Sequence, residues 1–121
     1  MELYGIPNCD QVRKARAWLE KHRYPYRFVD FKKEGIDQNL IVRWQQTVGW
    51  ENLLNRRGTT WRNLPAAQQA AVVDAPSAAA VAAEFPSLLK RPVLVDGERV
   101  VVGFSEAAYL SVLQTVEADG R

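Results

Sequence analysis

The apolar residues at the start of the chain predict a strand, a helix and a second strand. Residues 2–6 have the composition of a short strand, and residues 10–22 have the three- and four-residue apolar spacing of a helix. The apolar face of that helix is formed by Val12, Ala15, Trp18 and Leu19. Residues 26–31 are aromatic and β-branched enough for a second strand, which a helical crossover places parallel to the first.

The middle of the chain has the spacing of short helices. The first of these carries Leu40, Ile41, Trp44 and Val48. A short turn is predicted at 50–55, with Arg56-Arg57-Gly58 as a stop signal, and helices are predicted at 61–72 and 77–85. We expect these elements to form one helical insertion at about 37–88.

Two apolar runs on either side of Asp96-Gly97 predict a hairpin near the end of the chain. Ser105 is placed to begin a last helix, and residues 117–121 are expected to form a frayed tail. The order β-α-β, three helices, β-β-α predicts an α/β fold with a thioredoxin-like mixed sheet and the helical insertion. We expect residues 1–121 to form a single domain.

Composition narrows the class of protein. The chain has 121 residues, 47% of them hydrophobic, which suits one domain with a real core. A net charge of +2 is too small to indicate nucleic-acid binding, and the one cysteine and one histidine exclude a disulfide framework and a structural zinc cluster. No apolar run approaches the ~20 residues that cross a bilayer. We expect a cytoplasmic monomer with no bound cofactor or metal and no direct contact with nucleic acid or membrane.

Cys9 is the best candidate for chemistry, because it follows the Pro7-Asn8 break where the first strand gives way to the helix. A helix start presents unpaired N–H groups and the positive end of the dipole, which favour thiolate over thiol. Arg13, Lys14 and Arg16 would add to the same bias. The alternative is that Cys9 is a small apolar residue packed under a loop.

Four segments together resemble the arsenate reductase (ArsC/Spx/YffB-like) superfamily of thioredoxin-like proteins. The resemblance covers nearly the whole chain and is greatest to the small YffB-type relatives of the glutathione-coupled reductases. The segments are Tyr-Gly-Ile-Pro-Asn-Cys-Asp at 4–10 with Arg13-Lys14-Ala15, the run at 53–61, Lys90-Arg91-Pro92, and Gly103-Phe104-Ser105-Glu106.

The resemblance implies that Cys9 is the nucleophile and that Arg91 binds an anion in front of a cis proline, Pro92. An arginine offers a carboxylate or oxyanion a fork of N–H donors, and backbone next to a cis proline can pair with an extended thiol peptide. Taken alone, an Arg-Pro pair is more often a surface arginine before a trans proline at a strand edge.

The chain departs from the arsenate reductases at two arginine positions. Asn55 follows the two leucines where those enzymes carry arginine, and Gly103-Phe104 stands where they carry arginine and proline. Each lost charge-assisted bond is worth roughly 1.5–3 kcal/mol, so arsenate binding would weaken by on the order of 10²-fold or more. Arg56 or Arg57 would partly substitute, or both are solvated charges that favour a helix end.

The Spx-type regulators of the superfamily often sense oxidation through a Cys-x-x-Cys pair. This chain has Val12 at the second cysteine position, so it cannot form that disulfide within one chain. A partner-binding role of the Spx kind nevertheless remains an alternative, and Trp18, Trp44, Trp50 and Trp61 are the residues that would favour it if two were exposed.

The resemblance favours a glutathione-dependent thiol-disulfide reductase, with glutathione as co-substrate and a disulfide or glutathionylated molecule as substrate. A mixed disulfide on Cys9 would be resolved by external glutathione, because the chain has no second thiol. Arg91 and one of Arg56 or Arg57 would hold glutathione carboxylates, and the Pro92 backbone would align the cysteinyl peptide.

The two residues next to Cys9, Asn8 and Asp10, are expected to have opposite effects on its reactivity. Asn8 is placed to cap the helix, whereas Asp10 opposes thiolate formation unless its carboxylate turns toward the helix N–H groups. His22 lies three turns away and is expected to be a surface residue. Arsenate reduction is the third function considered, and the two absent arginines count against it.

Overall fold

The computed structural model describes residues 1–119, and their side chains as far as Leu113. The secondary structure alternates as the sequence predicts, with helices between the second and third strands. The strands are β1 (Glu2–Gly5), β2 (Arg27–Asp30), β3 (Val93–Asp96) and β4 (Arg99–Val102). The helices are α1 (Asp10–Lys21), α2 (Phe31–Glu34), α3 (Gln38–Val48), α4 (Trp50–Leu53), α5 (Thr59–Arg62), α6 (Ala66–Ala70), α7 (Ala75–Glu84) and α8 (Glu106–Asp119).

The chain divides into two compact units. The first comprises Met1–Val29 and the chain from Arg91 onward, and the second comprises Asp30–Lys90. The second unit encloses the segment 37–88 for which a helical insertion is predicted. That all 121 residues behave as a single domain stays a prediction.

The first unit contains a mixed four-stranded sheet in the order β2-β1-β3-β4. Strand β3 is antiparallel to both neighbours: Tyr4 pairs with Val93 on one side, and Val93 pairs with Val102 on the other. The order places β1 and β3 inside the sheet and β2 and β4 at its edges. The α/β class with a mixed sheet is therefore confirmed.

The core of the first unit forms between the sheet and helices α1 and α8. Its buried members are Leu3, Ala15, Trp18, Leu19, Leu94, Tyr109 and Leu113. All four residues of the predicted α1 face are buried, so the apolar spacing identified the buried side of this helix correctly. Burial of such side chains contributes roughly 1.5–3 kcal/mol each, which fixes α1 and the strand before it.

The second unit has its own apolar cluster, in which Leu54, Leu64, Ala78 and Leu88 are buried. A β-bridge pairs Leu54 with Leu89, and the Lys90 N–H donates to the Leu53 carbonyl at 2.8 Å. These bonds join the segment after α4 to the 3₁₀ turn at Pro86–Leu88.

Three predicted boundaries are wrong in this unit. The helix predicted at 61–72 is two short helices, α5 and α6, because Pro65 lacks an N–H and interrupts the helical ladder. The turn predicted at 50–55 contains the short helix α4. Phe31 does not end a strand but begins α2, with the Asp30 carboxylate accepting from the N–H groups of Lys32 and Lys33.

The hairpin lies where the sequence predicts it, with its turn one residue later. Asp96 pairs with Arg99, so the loop residues are Gly97 and Glu98, and Gly97 adopts a φ of 63°. Helix α8 starts after Ser105, whose hydroxyl accepts from the Ala108 N–H at 3.1 Å. The helix continues through part of the predicted frayed tail, and residues 120 and 121 lie outside the described residues. None of the helices in residues 1–119 has the length and apolar content that crossing a membrane requires.

Candidate functional site

Cys9 is the N-cap residue of α1. Its backbone is extended (φ −95°, ψ 131°), its N–H donates to the Ile6 carbonyl at 3.2 Å, and its carbonyl accepts from the Arg13 N–H at 2.9 Å. The thiol is free and half-buried, and it makes no capping bond. The prediction that Asn8 caps the helix is wrong, because the chain enters α1 one residue later, at Cys9.

A close contact between β1 and α1 sets the approach to Cys9. Gly5 is buried, and a Cβ placed on it would lie 2.6 Å from Cγ2 of Val12. Real Cβ atoms do not approach so closely, so the end of β1 packs on the first turn of α1 only because residue 5 has no side chain. The turn from strand to helix is consequently short.

Arg13 forms the only ion pair at the start of α1 among the described residues. One guanidinium nitrogen, Nη1, lies 2.7 Å from Oδ1 of Asp10, and the other, Nη2, donates to the Asn8 carbonyl at 3.0 Å. Asp10 therefore does not turn toward the helix N–H groups as one expectation required. Its charge is instead balanced by Arg13.

Arg16 lies on the same helix but points elsewhere. Its Nε donates to the Tyr26 hydroxyl at 3.2 Å, and its guanidinium carbon lies 4.3 Å from the centre of the Phe28 ring. Lys14 is exposed. The three cations predicted to act together on the thiol thus differ in role, and Arg13 is the one bonded to the residues on either side of Cys9.

Arg91 and Pro92 precede β3. The Arg91–Pro92 peptide bond is cis, as the resemblance implies. Pro92 is buried and its carbonyl accepts from the Gly103 N–H at 2.8 Å, while Arg91 is half-buried. Because Tyr4 pairs with Val93 in antiparallel register, the chain leading to Cys9 and the Arg91–Pro92 pair meet the sheet at the same end of two adjacent strands.

Arg56 and Arg57 belong to the second unit and have different surroundings. The Arg56 guanidinium carbon lies 5.0 Å from the centre of the Trp50 ring and 5.7 Å from that of Trp61. The Arg57 side chain is exposed, and its backbone N–H donates to Oδ1 of Asn55 at 3.1 Å. Among the predicted site residues, Asn8, Cys9, Arg91 and Pro92 lie in the first unit and the two arginines in the second.

Known proteins resemble this chain in sequence and in fold. The model of the ArsC family matches residues 4–112. The chain belongs to the ArsC family. A solved structure named YFFB (PA3664) protein is 45% identical, with a TM-score of 0.86 over 91% of this chain and 96% of the other. That agreement confirms the thioredoxin-like ArsC fold.

Two curated relatives extend the comparison. An uncharacterised protein of Haemophilus influenzae is 39% identical over 107 residues, covering 88% of this chain and 93% of its own length. The global transcriptional regulator Spx 1 of Lactococcus lactis is 27% identical over 108 residues, covering 88% of this chain and 83% of its own. One relative of this chain therefore carries a regulator's name.

Asn55 has a structural role in this ArsC-family chain. Its backbone N–H donates to the Leu88 carbonyl at 2.7 Å, and its side-chain oxygen accepts from Arg57. The side chain turns the backbone after α4 and is occupied within its own loop. It is therefore a poor replacement for an arginine that holds an oxyanion.

The four tryptophans divide into two groups. Trp18 and Trp44 are 5% and 1% exposed, whereas Trp50 and Trp61 are half-buried on either side of Arg56. His22 is exposed as predicted, and its ring stacks on Trp18 with centroids 4.1 Å apart.

Sequence reasoning missed two sets of contacts that this ArsC-family structure shows. The Asp10–Arg13 pair has the i, i+3 spacing that places charged side chains together on a helix, so a local signal was available. The Arg56 contacts join tryptophans eleven positions apart, and no local spacing predicts them. In the described part of the chain, no group of three or more His, Cys, Asp or Glu residues is placed to hold a metal ion.

Proposed function

We propose that this protein is a glutathione-dependent thiol-disulfide reductase in which Cys9 is the nucleophile. The observation that carries the proposal is the free, half-buried thiol at the N-cap of α1 in a chain of the ArsC family. A thiolate is the form of cysteine that attacks disulfides. A cysteine that is only partly buried can also be reached by a substrate.

The reaction is a two-step exchange. The Cys9 thiolate attacks the glutathionyl sulfur of a mixed disulfide, forms a Cys9–glutathione disulfide and releases the substrate thiolate, which takes up a proton. A second glutathione, as thiolate, attacks the glutathione sulfur of that adduct, which frees Cys9 and forms glutathione disulfide. One free glutathione thiol is consumed in each turnover, and the disulfide of the substrate is exchanged for that of glutathione, so the cycle requires a compartment that keeps glutathione reduced, such as the cytoplasm.

Arg91, Pro92 and Asn8 are the proposed contacts in the first unit. Arg91 and Pro92 lie at the same end of the sheet as the segment that leads to Cys9, which suits a ligand whose sulfur is bonded to that residue. Arg91 would bind a glutathione carboxylate through its fork of N–H donors. The backbone at Pro92 would align the cysteinyl peptide, and Asn8, exposed beside Cys9, offers its side-chain amide.

Arg56 and Arg57 are the proposed carboxylate ligands from the second unit. The Arg57 side chain is exposed, whereas Arg56 already lies against two indole rings. We propose that one of them supplies the second carboxylate contact. Arsenate, which is small and multiply charged, is a less suitable substrate because Asn55 and Gly103 stand where the arsenate reductases carry arginines.

The experiment is turnover of a small glutathionyl mixed disulfide with reduced glutathione, coupled to glutathione reductase and followed by NADPH consumption. The matched variant is Cys9→Ser, which replaces only the sulfur. Turnover above the uncatalysed exchange that disappears in Cys9→Ser supports the proposal. A parent protein no faster than the uncatalysed exchange would overturn it.

A second candidate function is binding to a larger protein. None of the four tryptophans is exposed, so the exposure that would favour this role is not met. The half-buried Trp50 and Trp61 beside the exposed Arg56 are the feature that still suits it, because tryptophan and arginine are the residue types enriched where proteins bind most tightly. The relative named Spx 1 is a transcriptional regulator by name. An inactive parent protein in the turnover assay would make this the preferred function, with Trp50→Ala and Trp61→Ala as variants for binding measurements.

A further inference from the structure

The Arg13 side chain joins the residues on both sides of Cys9. Through Nη1 it bonds the Asp10 carboxylate at 2.7 Å, and through Nη2 it bonds the Asn8 carbonyl at 3.0 Å. Its own backbone N–H donates to the Cys9 carbonyl at 2.9 Å. One residue therefore contacts three consecutive positions, 8, 9 and 10, of which the middle one carries the thiol.

The Asp10 contact matters because of charge. A carboxylate next to a thiol repels anionic substrates, including the carboxylates of glutathione. The paired guanidinium balances that charge locally. Both side chains are well exposed, at 58% for Arg13 and 83% for Asp10, so solvent screens the pair and its effect is moderate.

The Asn8 contact matters because of geometry. Cys9 follows β1 through a short turn and has an extended backbone, and its thiol makes no capping hydrogen bond that would orient the residue. A hydrogen bond from a charged donor to the preceding carbonyl restrains the turn at that point.

We propose that Arg13 is a positioning residue for Cys9, acting by balancing the charge of Asp10 and restraining the Asn8 carbonyl. This inference rests on the proposed use of Cys9 as a nucleophile. It assigns Arg13 no contact with the substrate. Lys14 is the natural comparison, because it has the same charge, is adjacent in the chain and is exposed.

The test compares two alkylating reagents that differ only in charge. In each case the Cys9 sulfur forms a carbon–sulfur bond and displaces iodide, from neutral iodoacetamide or from anionic iodoacetate. The ratio of the two rate constants measures the electrostatic potential at the sulfur. The ratio requires neither glutathione nor turnover, so it can be measured even if the protein proves inactive as a reductase.

We expect Arg13→Gln to lower the iodoacetate-to-iodoacetamide ratio by about threefold, the size expected for an exposed pair. Asp10→Asn should raise the ratio, and the double variant should return close to the parent value. Arg13→Lys should retain most of the ratio, because it keeps the positive charge. It should lower the rate constant for iodoacetamide, because one ammonium group cannot reproduce the bonds of the guanidinium to both Asp10 and the Asn8 carbonyl.

Lys14→Gln distinguishes a positioning role of Arg13 from a general effect of positive charge near Cys9. The inference predicts that it shifts the ratio by less than half as much as Arg13→Gln. Equal shifts in the two variants, or a double variant no different from Arg13→Gln alone, would overturn the inference. Thermal unfolding of each variant establishes that the exposed substitutions leave the fold intact.

Discussion

The Asp74 carboxylate and the Ser77 side chain bond to each other at the start of α7. Oδ1 of Asp74 accepts from the Ser77 N–H at 3.0 Å and from the Ser77 hydroxyl at 2.6 Å, and that hydroxyl accepts from the Asp74 N–H at 3.1 Å. This is a capping box, which satisfies N–H groups that the first turn leaves unpaired. Hydrogen bonds from the Ser77 hydroxyl, and then from its backbone, hold the pKa of Asp74 below its ordinary value.

A pH-dependent contribution to stability follows from that cap. A carboxyl whose pKa is lower in the folded than in the unfolded protein stabilises the fold above the unfolded pKa, and this contribution is lost as the pH falls through the folded one. We expect Asp74→Ala to lower the thermal midpoint at pH 7 and to lower it less at about pH 3, below the ordinary pKa of aspartate.

The control for this prediction is Glu84→Gln, which removes a carboxylate from the same helix without removing a cap. Thermal unfolding of the three proteins across this pH range measures the effect. A decrease in the thermal midpoint of Asp74→Ala that does not change with pH would contradict the prediction.

A buried hydroxyl provides a second prediction. The Tyr109 side chain is fully buried, and within the described part of the chain its hydroxyl has no hydrogen-bond partner. Burial raises the pKa of this phenol. Removing an unsatisfied polar atom relieves its desolvation, so Tyr109→Phe should leave the free energy of unfolding unchanged or raise it by up to about 1 kcal/mol.

Tyr26→Phe is the matched comparison, because the Tyr26 hydroxyl is bonded. It accepts from Arg16 at 3.2 Å and donates to Glu20 at 2.6 Å. Its removal should cost about 0.5–1.5 kcal/mol in urea unfolding. Equal losses in the two variants would mean that the Tyr109 hydroxyl also has a partner, such as an internal water.

The contact between Gly5 and Val12 gives a third prediction. A methyl group at position 5 would lie 2.6 Å from Val12, so Gly5→Ala should reduce stability by about 1–3 kcal/mol, as overpacked sites do. Because β1 leads to Cys9, the alkylation rate of Cys9 should change as well. Val12→Ala makes space, and the double variant should therefore be less destabilised than the sum of the single changes. Strict additivity in urea unfolding would show that the two residues do not clash.

The two neighbouring arginines should differ in their effect on stability. Arg56 lies over Trp50 and Trp61, and an exposed cation–π contact is worth about 0.5–1 kcal/mol, so Arg56→Gln should reduce the free energy of unfolding by that amount. Arg57→Gln should have little effect, since the bond to Asn55 uses only the Arg57 backbone. Tryptophan fluorescence during urea unfolding measures both. A larger loss of unfolding free energy in Arg57→Gln than in Arg56→Gln would contradict the prediction that Arg56 makes the stabilising contact.

The parts of the fold that follow local periodicity were predictable. Helix α1 buries the four residues that its spacing selects, and β3 and β4 form the predicted hairpin, with its loop at Gly97-Glu98, one residue later than the Asp96-Gly97 signal. The errors occur where a single residue overrides the pattern. Pro65 divides a helix that the apolar spacing of 61–72 predicts as continuous, and Asp30 caps α2 so that Phe31 leaves the strand.

The sequence predicts which residues belong to the candidate site better than it predicts their hydrogen bonds and contacts. The position of Cys9 at the start of a helix follows from the strand, the Pro7-Asn8 break and the helical spacing after it. Which residue caps the helix depends on where the backbone first becomes helical, and a pattern of residue types does not determine that to one position. The environment of Arg56 depends on how α4 and α5 pack, which long-range contacts decide.

The strand order has a consequence for how the protein opens. Strands β1 and β3, which lead to Cys9 and begin after Pro92, are the inner pair of the sheet, whereas β2 and β4 each have one unpaired edge. Local unfolding starts where backbone hydrogen bonds are fewest, so amide protons of the edge strands should exchange with solvent before those of the inner pair. The frame that supports the thiol would then be among the last parts of the first unit to open.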